Sequence, residues 1–442
     1  MPESFTIPSF KAPGLPPVDV VVVGGGPAGV AAAVAAGRQG LRTLLIEKYG
    51  FCGGATVAGL SGTICGLHSS GADVHQIVFG FAEEFRAALD SIGGIGAPVR
   101  FGKTALLPHD SLSWKITADR LLADAGVRLL FHAYFLEAFT VDDGRIEALL
   151  VRLLEGYRVI RPKAVIDASG DALVIHSIGG KTTAGDNGVV QTPTMIFRLG
   201  GVDMPAFLQI EPETICLAVE DADRSGKYRL PRHHVYLFPM PHGHEVLCNM
   251  TRITFPDGRV PSGVDSSDMS FAEIEGRAQA TEYARFLKER FPAFRDSYIV
   301  ETGTQVGIRQ TRSITGVARL TNEDVLRARK VPGAATFSAW PIEAHGAGQL
   351  KITYLNDDHY DIPFETLIPV AGSNVLVAGR CMSAEHEALA SARVTAQCLG
   401  MGYAAGAAAG LMIEERLRSQ QVTGERVADW MKAHRLKSAH ER

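Results

Sequence analysis

Three glycines and one acid carry the first chemical signal in this sequence. Gly24, Gly26 and Gly29 stand in the spacing G-x-G-x-x-G, and Glu47 follows at the end of a later aliphatic run. Residue types in that order can hold a dinucleotide. The first glycine permits a tight turn, the second lets a pyrophosphate approach bare backbone, and the third lets a helix close on a strand. Pro27 and Ala28 belong to the same turn and open the helix, whose unpaired N–H groups suit an anion. A carboxylate at Glu47 can accept hydrogen bonds from an adenosine ribose.

The elements that must position these groups are legible around them. Val18 to Val23 is a nearly continuous aliphatic run, the pattern of a parallel strand buried on both faces. A helix of alanine and valine is expected from Ala28 to about Gln39, ended by Gly40, with a second strand from Leu41 to Ile46. A bare glycine pattern would be weak; strand, turn, helix, strand and acid in succession make a nucleotide site. NAD and FAD both remain open at this point. After Glu47 the chain runs into KYGFCGGATVAGLSGTICGLH, a glycine-rich loop able to wrap a ligand lying beyond the adenosine. Residues 127–163 then alternate as short strands with turns at Asp142–Gly144 and Glu155–Gly156, before an apolar strand and the turn Asp167-Ala168-Ser169-Gly170-Asp171. A late buried strand, Val375 to Ala378, stops at Gly379-Arg380 ahead of a long small-residue helix.

Composition narrows the function classes. The 442 residues are enough for two or three domains, or for one large domain with an insertion, and the net charge is −4 without long runs of either sign. Neither nucleic acid nor a membrane surface is an expected partner. The most apolar stretches, 20–36 and 399–413, are short and glycine-rich for a bilayer span. Six scattered cysteines without a C-x-x-C pair read as free thiols in a reducing compartment, and no signal layout is present, so a cytoplasmic protein is expected.

Taken together, GGGPAG with Glu47, EKYGFCGG, DASGD, GIRQTRSITG at 307–316, WPIEAH at 340–345 and VAGRCMSAEHEALASARV resemble the FAD-dependent oxidoreductases of the glutathione-reductase-like group with two dinucleotide folds, and more narrowly the broad family named simply FAD-dependent oxidoreductase. The resemblance implies FAD as the cofactor. It places Gly24, Gly26 and Gly29 at the pyrophosphate, and Glu47 and Lys48 on the adenosine side. Gly53, Gly54 and Ala55 fall along the ribityl chain, and Ala133 near the adenine. Asp167, Ala168 and Gly170 form the covering turn, and Gly379 and Arg380 close the flavin site. A helix from about Ala390 to Leu411 would aim its amino end at the flavin, with Arg393 in its first turn. Cys52, Ser169 and Ala390 depart from the family's usual aliphatic residue, threonine and glycine.

Residues 191–329 are expected to form an inserted, mainly antiparallel β substrate domain, between the two parts (18–190 and 330–420) of a discontinuous Rossmann-like FAD-binding α/β domain. Residues 1–17 are expected to be a mobile start, and 421–442 a tail that adds a short helix or stays mobile. His233, His234, His242 and His244 lack ligand-spaced partners, and no metal is expected. Redox chemistry on a small-molecule substrate needs a group that manages a proton and one that holds the substrate. His345 and His386, the latter flanked by Glu385 and Glu387, can exchange a proton near neutral pH; Arg309 and Arg312 can clamp a carboxylate, and Arg393 can add a positive charge beside the flavin. No second G-x-G-x-x-G follows, so an external electron acceptor or donor is expected, and a homo-oligomer is left open. An NAD-dependent dehydrogenase and a nucleotide-binding or tRNA-acting flavoprotein without enzymatic activity stand as alternatives.

Overall fold

The structure, a computed structural model, describes residues 11–345, 350–355 and 357–441. Its centre is a five-stranded parallel sheet in the order Val375–Val377, Ala164–Asp167, Val20–Val23, Thr43–Ile46, Arg128–Leu130. The first four of these strands in that order are buried at every residue, because both faces of the sheet are covered. Val20 and Val22 point into one core and Val21 and Val23 into another, which is why the first strand is aliphatic throughout.

One face is covered by the helices Pro27–Arg38 and Thr395–Glu415. Gly402, Gly406 and Gly410 present bare backbone to the first helix: a β-carbon on them would fall 2.0 Å from the Ala28 carbonyl oxygen, 2.2 Å from that of Ala32 and 1.9 Å from Gln39 Oε1. By length and composition the late helix could cross a membrane. Its most apolar window is nevertheless 89% buried inside the protein. The other face carries the antiparallel sheet Tyr134–Thr140, Ile146–Leu153 and Gly156–Ile160, whose turns fall where the Asp-Asp-Gly and Glu-Gly pairs put them.

Between the strands Ala164–Asp167 and Val375–Val377, which are neighbours in the parallel sheet, the chain makes a four-stranded antiparallel sheet. Its order is Tyr236–Pro239, Val246–Asn249, Phe197–Gly200, Tyr298–Thr302. The helix Ser266–Arg290 packs on it through Tyr283, Phe286 and Leu287, forming a separate core. The fold is therefore α/β, a Rossmann-like parallel sheet with an inserted, mainly antiparallel region.

Two local expectations change, and a third, left open for the tail, is decided. The helix expected from Ala390 is two helices, His386–Ala392 and Thr395–Glu415, broken at Arg393-Val394, so Arg393 precedes the long helix instead of lying in its first turn. Residues 11–17 are tied down, with Leu15 N–H donating to the Val159 carbonyl at 2.8 Å; residues 1–10 lie outside the described residues. The tail forms the helix Gly424–Ala433, held by Trp430 Nε1–H on Gln39 Oε1 at 2.7 Å and by buried Val427 and Met431.

Candidate active site

The carboxyl ends of the central parallel strands open into a cleft of about 280 Å³. Its glycines divide the labour. A β-carbon on Gly24, whose φ is +101°, would sit 2.6 Å from the Ala168 carbonyl oxygen, and one on Gly29 would sit 1.8 Å from that of Gly24. These two let turn, strand and helix close. Gly26 is different: the nearest atom to its β-carbon would be Gly54 Cα at 3.9 Å, so its backbone faces open space in the cleft. Gly26 also begins the helix Pro27–Arg38 without a side-chain cap, leaving first-turn amides for a ligand.

Pro27, Ala28, Glu47, Lys48, Gly54, Ala55, Ala168, Gly170, Gly379 and Arg380 line the same cleft. Glu47 is 5% exposed, and burial pushes its carboxyl up although Gly25 N–H donates to Oε2 at 2.6 Å and Tyr49 N–H to Oε1 at 2.9 Å. Ala133 lies just behind it, its N–H on the Glu47 carbonyl at 3.0 Å, outside the lining. Gly29 and Gly53 are likewise behind the surface.

Asp167 is fully buried and does not reach the cleft. Its carboxylate accepts from the Ser169 hydroxyl at 2.6 Å and from Val174 N–H at 2.8 Å, which ties the turn to the helix Leu173–Ser177. Ser169 thus keeps the hydroxyl this turn uses. Asp171 accepts from Arg380 Nη2 at 2.7 Å and from the Thr311 hydroxyl at 2.8 Å. That network draws the DASGD turn, the late strand's end and the GIRQTRSITG segment together. Arg312 reaches only the Asp171 carbonyl, at 3.4 Å, from outside the lining.

The opposite wall is made of side chains. Arg309, Arg393, Glu343, His345 and Tyr236 all line it. His345, 8% exposed, shares a 3.0 Å hydrogen bond between Nε2 and Glu343 Oε1. Burial and the Arg309 charge push the His345 imidazole down to about 3, so it is neutral near pH 7. Burial also pushes the Glu343 carboxyl up, but the hydrogen bond to His345 and the Arg309 and Arg393 charges outweigh it and keep it ionised. An ionised Glu343 can only accept, so the proton sits on Nε2 and the Nδ1 lone pair is left as a base. Arg309 Nη1 donates to the Thr192 carbonyl at 2.6 Å, and Arg393 Nη2 to Gln191 Oε1 at 3.0 Å.

His386 stands outside this wall. It begins the helix His386–Ala392, and burial lowers its pKa; Glu385 anchors the Asn322 backbone at 2.8 Å instead of facing the cleft. Cys52 is fully buried behind the glycine loop, where burial raises its thiol pKa well above the usual range. Cys65 and Cys398 line the cleft unannounced by the sequence; burial pushes both up to about 12, so they are thiols and not thiolates. Glu343 was also missed. The available signal was its i, i+2 spacing to His345 along a strand, which puts both side chains on one face. Among the described residues no three His, Cys, Asp or Glu are grouped to hold a metal.

The residues of the cleft fit FAD. An open backbone cradle lies at Gly26, a buried acid lies at the second strand's end, and the cleft continues past Gly54 and Gly379 to the charged wall. The family profile of the FAD dependent oxidoreductases matches residues 19–431. The chain belongs to that family. FAD is its cofactor, and the choice against an NAD dehydrogenase or a non-enzymatic module follows. Among solved structures, this family member is similar to a geranylgeranyl bacteriochlorophyll reductase-like protein from Thermoplasma acidophilum, at 14% identity and a TM-score of 0.50, over 96% of this chain and 85% of that one. It is also similar to a flavin-dependent brominase, at 12% identity and a TM-score of 0.47, over 95% and 82%. A third is p-nitrophenol 4-monooxygenase from Pseudomonas putida, at 12% and 0.47, over 94% and 83%. At such identities only the first supports an argument, and only about fold. No curated protein matches the sequence.

Proposed function

We propose that this flavoenzyme oxidises or reduces a small molecule by moving a hydride to or from flavin N5, with His345 handling the accompanying proton. Bound FAD supplies the two-electron chemistry. Gly26 and the first turn of its helix hold the phosphates, Glu47 the ribose, and Gly54, Ala55, Gly379 and Arg380 the region toward the ring. His345 Nδ1 accepts a hydrogen bond from a substrate O–H or N–H and draws on its proton as the hydride moves, while Glu343 fixes the ring and offsets the positive charge that develops there. Arg309 and Arg393 orient the substrate and keep the wall cationic.

The observation that carries this reading is the His345–Glu343 pair facing the same cleft as the glycine cradle. The finer kinship to the two-dinucleotide-fold group is supported by the first fold and the DASGD turn alone, because the described residues hold one parallel sheet. An external electron acceptor or donor belongs to this reading. The test is anaerobic bleaching of the purified yellow protein against a panel of hydroxy acids, amines and alcohols. Wild type should bleach with at least one of them and His345→Asn, equally yellow, should not; equal bleaching by both would remove His345 from the mechanism.

A further inference from the structure

Arg309 and His345 belong to the walls of two cavities. Beyond them, on the side of the inserted antiparallel region, lies a second cavity of about 460 Å³. Its wall includes Arg232, only 7% exposed. Nε of Arg232 donates to the His234 carbonyl at 2.8 Å and Nη1 to Asn249 Oδ1 at 2.7 Å, both neutral acceptors, and Nη2 is buried without a partner among the described residues. The neighbouring cations are in the same condition. Arg309 is held by a carbonyl and Arg393 by an amide, with Arg393 Nε buried and without a partner among the described residues.

Arg309 and Arg393 therefore share the charged wall with one carboxylate, Glu343, which is already hydrogen-bonded to His345, and Arg232 lines the second cavity beside Arg309. Of the other charged groups of the second cavity, Arg252 is half-buried and the rest sit toward solvent. Glu220 pairs with Arg224 at 2.8 Å, His233 pairs with Asp223 at 2.9 Å, and Glu213 is exposed. Buried charge is tolerated when it is matched, and a guanidinium with a bare N–H edge matches a planar carboxylate. Burial and repulsion from Arg232 and Arg393 push the Arg309 pKa well down, as expected of a cation waiting for its counter-ion.

We infer that the second cavity is a substrate-anchoring site for a small organic carboxylate, whose carboxylate lies between Arg232 and Arg309 and whose chain passes His345 into the cleft. Leu217, Pro231 and Leu350 give that chain an apolar wall. This inference rests on the redox reading above, since the carbon to be oxidised must reach the cleft beyond His345.

The FAD-loaded enzyme is titrated with propanoate, butanoate and hexanoate, with their primary amides, and with inorganic phosphate and sulfate. Flavin absorbance and calorimetry report binding. Each carboxylate should bind at least ~10-fold more tightly than its amide, Arg232→Gln and Arg309→Gln should each weaken carboxylate binding ~10–100-fold, and Arg232→Gln, which lies outside the flavin cleft, should leave amide binding and the flavin spectrum unchanged. Arg232→Lys, which keeps the charge without the fork, should recover part of the loss and serves where the glutamine variant does not fold. Amides that bind as well as the acids, phosphate or sulfate outcompeting every carboxylate, or a folded Arg232→Gln with full affinity would overturn the inference. A wild type that carries no flavin would instead break the redox reading, so the two failures are distinguishable.

Discussion

The two walls of the cleft are built differently. The cradle wall, around Gly26, Gly54 and Ala168, is backbone: its shape comes from where a side chain is missing, and it is assembled largely from the first parallel strands and the turns that follow them. The charged wall takes Arg309, Glu343 with His345, Arg393 and Tyr236 from four segments that are distant in sequence. A cofactor shared across many enzymes can be held by generic amides and helix ends, which tolerate no β-carbon but ask for no particular charge. A substrate needs specific charges and protons at fixed points, and those must come from side chains that tertiary structure brings together.

Substitutions should separate the walls. The largest effect is expected for Gly29→Ala, whose β-carbon collides with the Gly24 carbonyl; overpacking there should cost about 3 kcal/mol or more and release the flavin. Denaturation midpoint and flavin absorbance per protein measure it, and an intact yellow Gly29→Ala protein would break the claim that the cradle is a backbone fit. His345→Asn should lower kcat by ~10²–10⁴-fold with flavin retained, confining the damage to the other wall.

His345 also carries a pH signature. Its folded pKa, about 3, lies below the ordinary 6.5, so the unfolded chain binds the proton first. The stability due to the neutral buried ring is complete above about 6.5 and is lost as pH falls toward 3. Melting curves across that window should fall more steeply in wild type than in His345→Asn; identical curves would show the ring is not held neutral.

Glu47→Gln should weaken FAD binding ~10–100-fold without changing kcat at saturating FAD, because it removes a charge-assisted acceptor from the cradle wall only. The smallest effect belongs to Thr423→Ala, which removes the side chain that accepts from Arg426 N–H at the start of the tail helix. It should cost about 0.5–1 kcal/mol in melting experiments and leave both flavin content and turnover alone. A change in turnover would mean the tail is coupled to the cleft.

The readable part of the site was the part encoded locally. Val20–Val23, Gly24, Gly26, Gly29 and Glu47 lie within one strand–helix–strand unit, so spacing along the chain is spacing in space. Glu343 and His345 were half legible, since a strand alternates faces and two residues apart means side by side. His386 looked equally well placed beside the VAGR strand end. The helix it opens carries it outside the cleft, and the break at Arg393-Val394 swings Arg393 into the wall instead. Arg232 gave no signal at all, because its unmatched Nη2 exists only after the antiparallel sheet has buried it.

By itself the sequence determined the parallel dinucleotide sheet, the glycine turn and the acid, because each follows from steric and hydrogen-bonding rules acting over a few tens of residues. Tertiary structure alone decided which histidine faces the redox cleft, which arginines lose their water, and that Gly402, Gly406 and Gly410 let the late helix lie inside the protein. Those outcomes depend on desolvation and close approach between segments hundreds of residues apart, and neither quantity exists until the chain has folded.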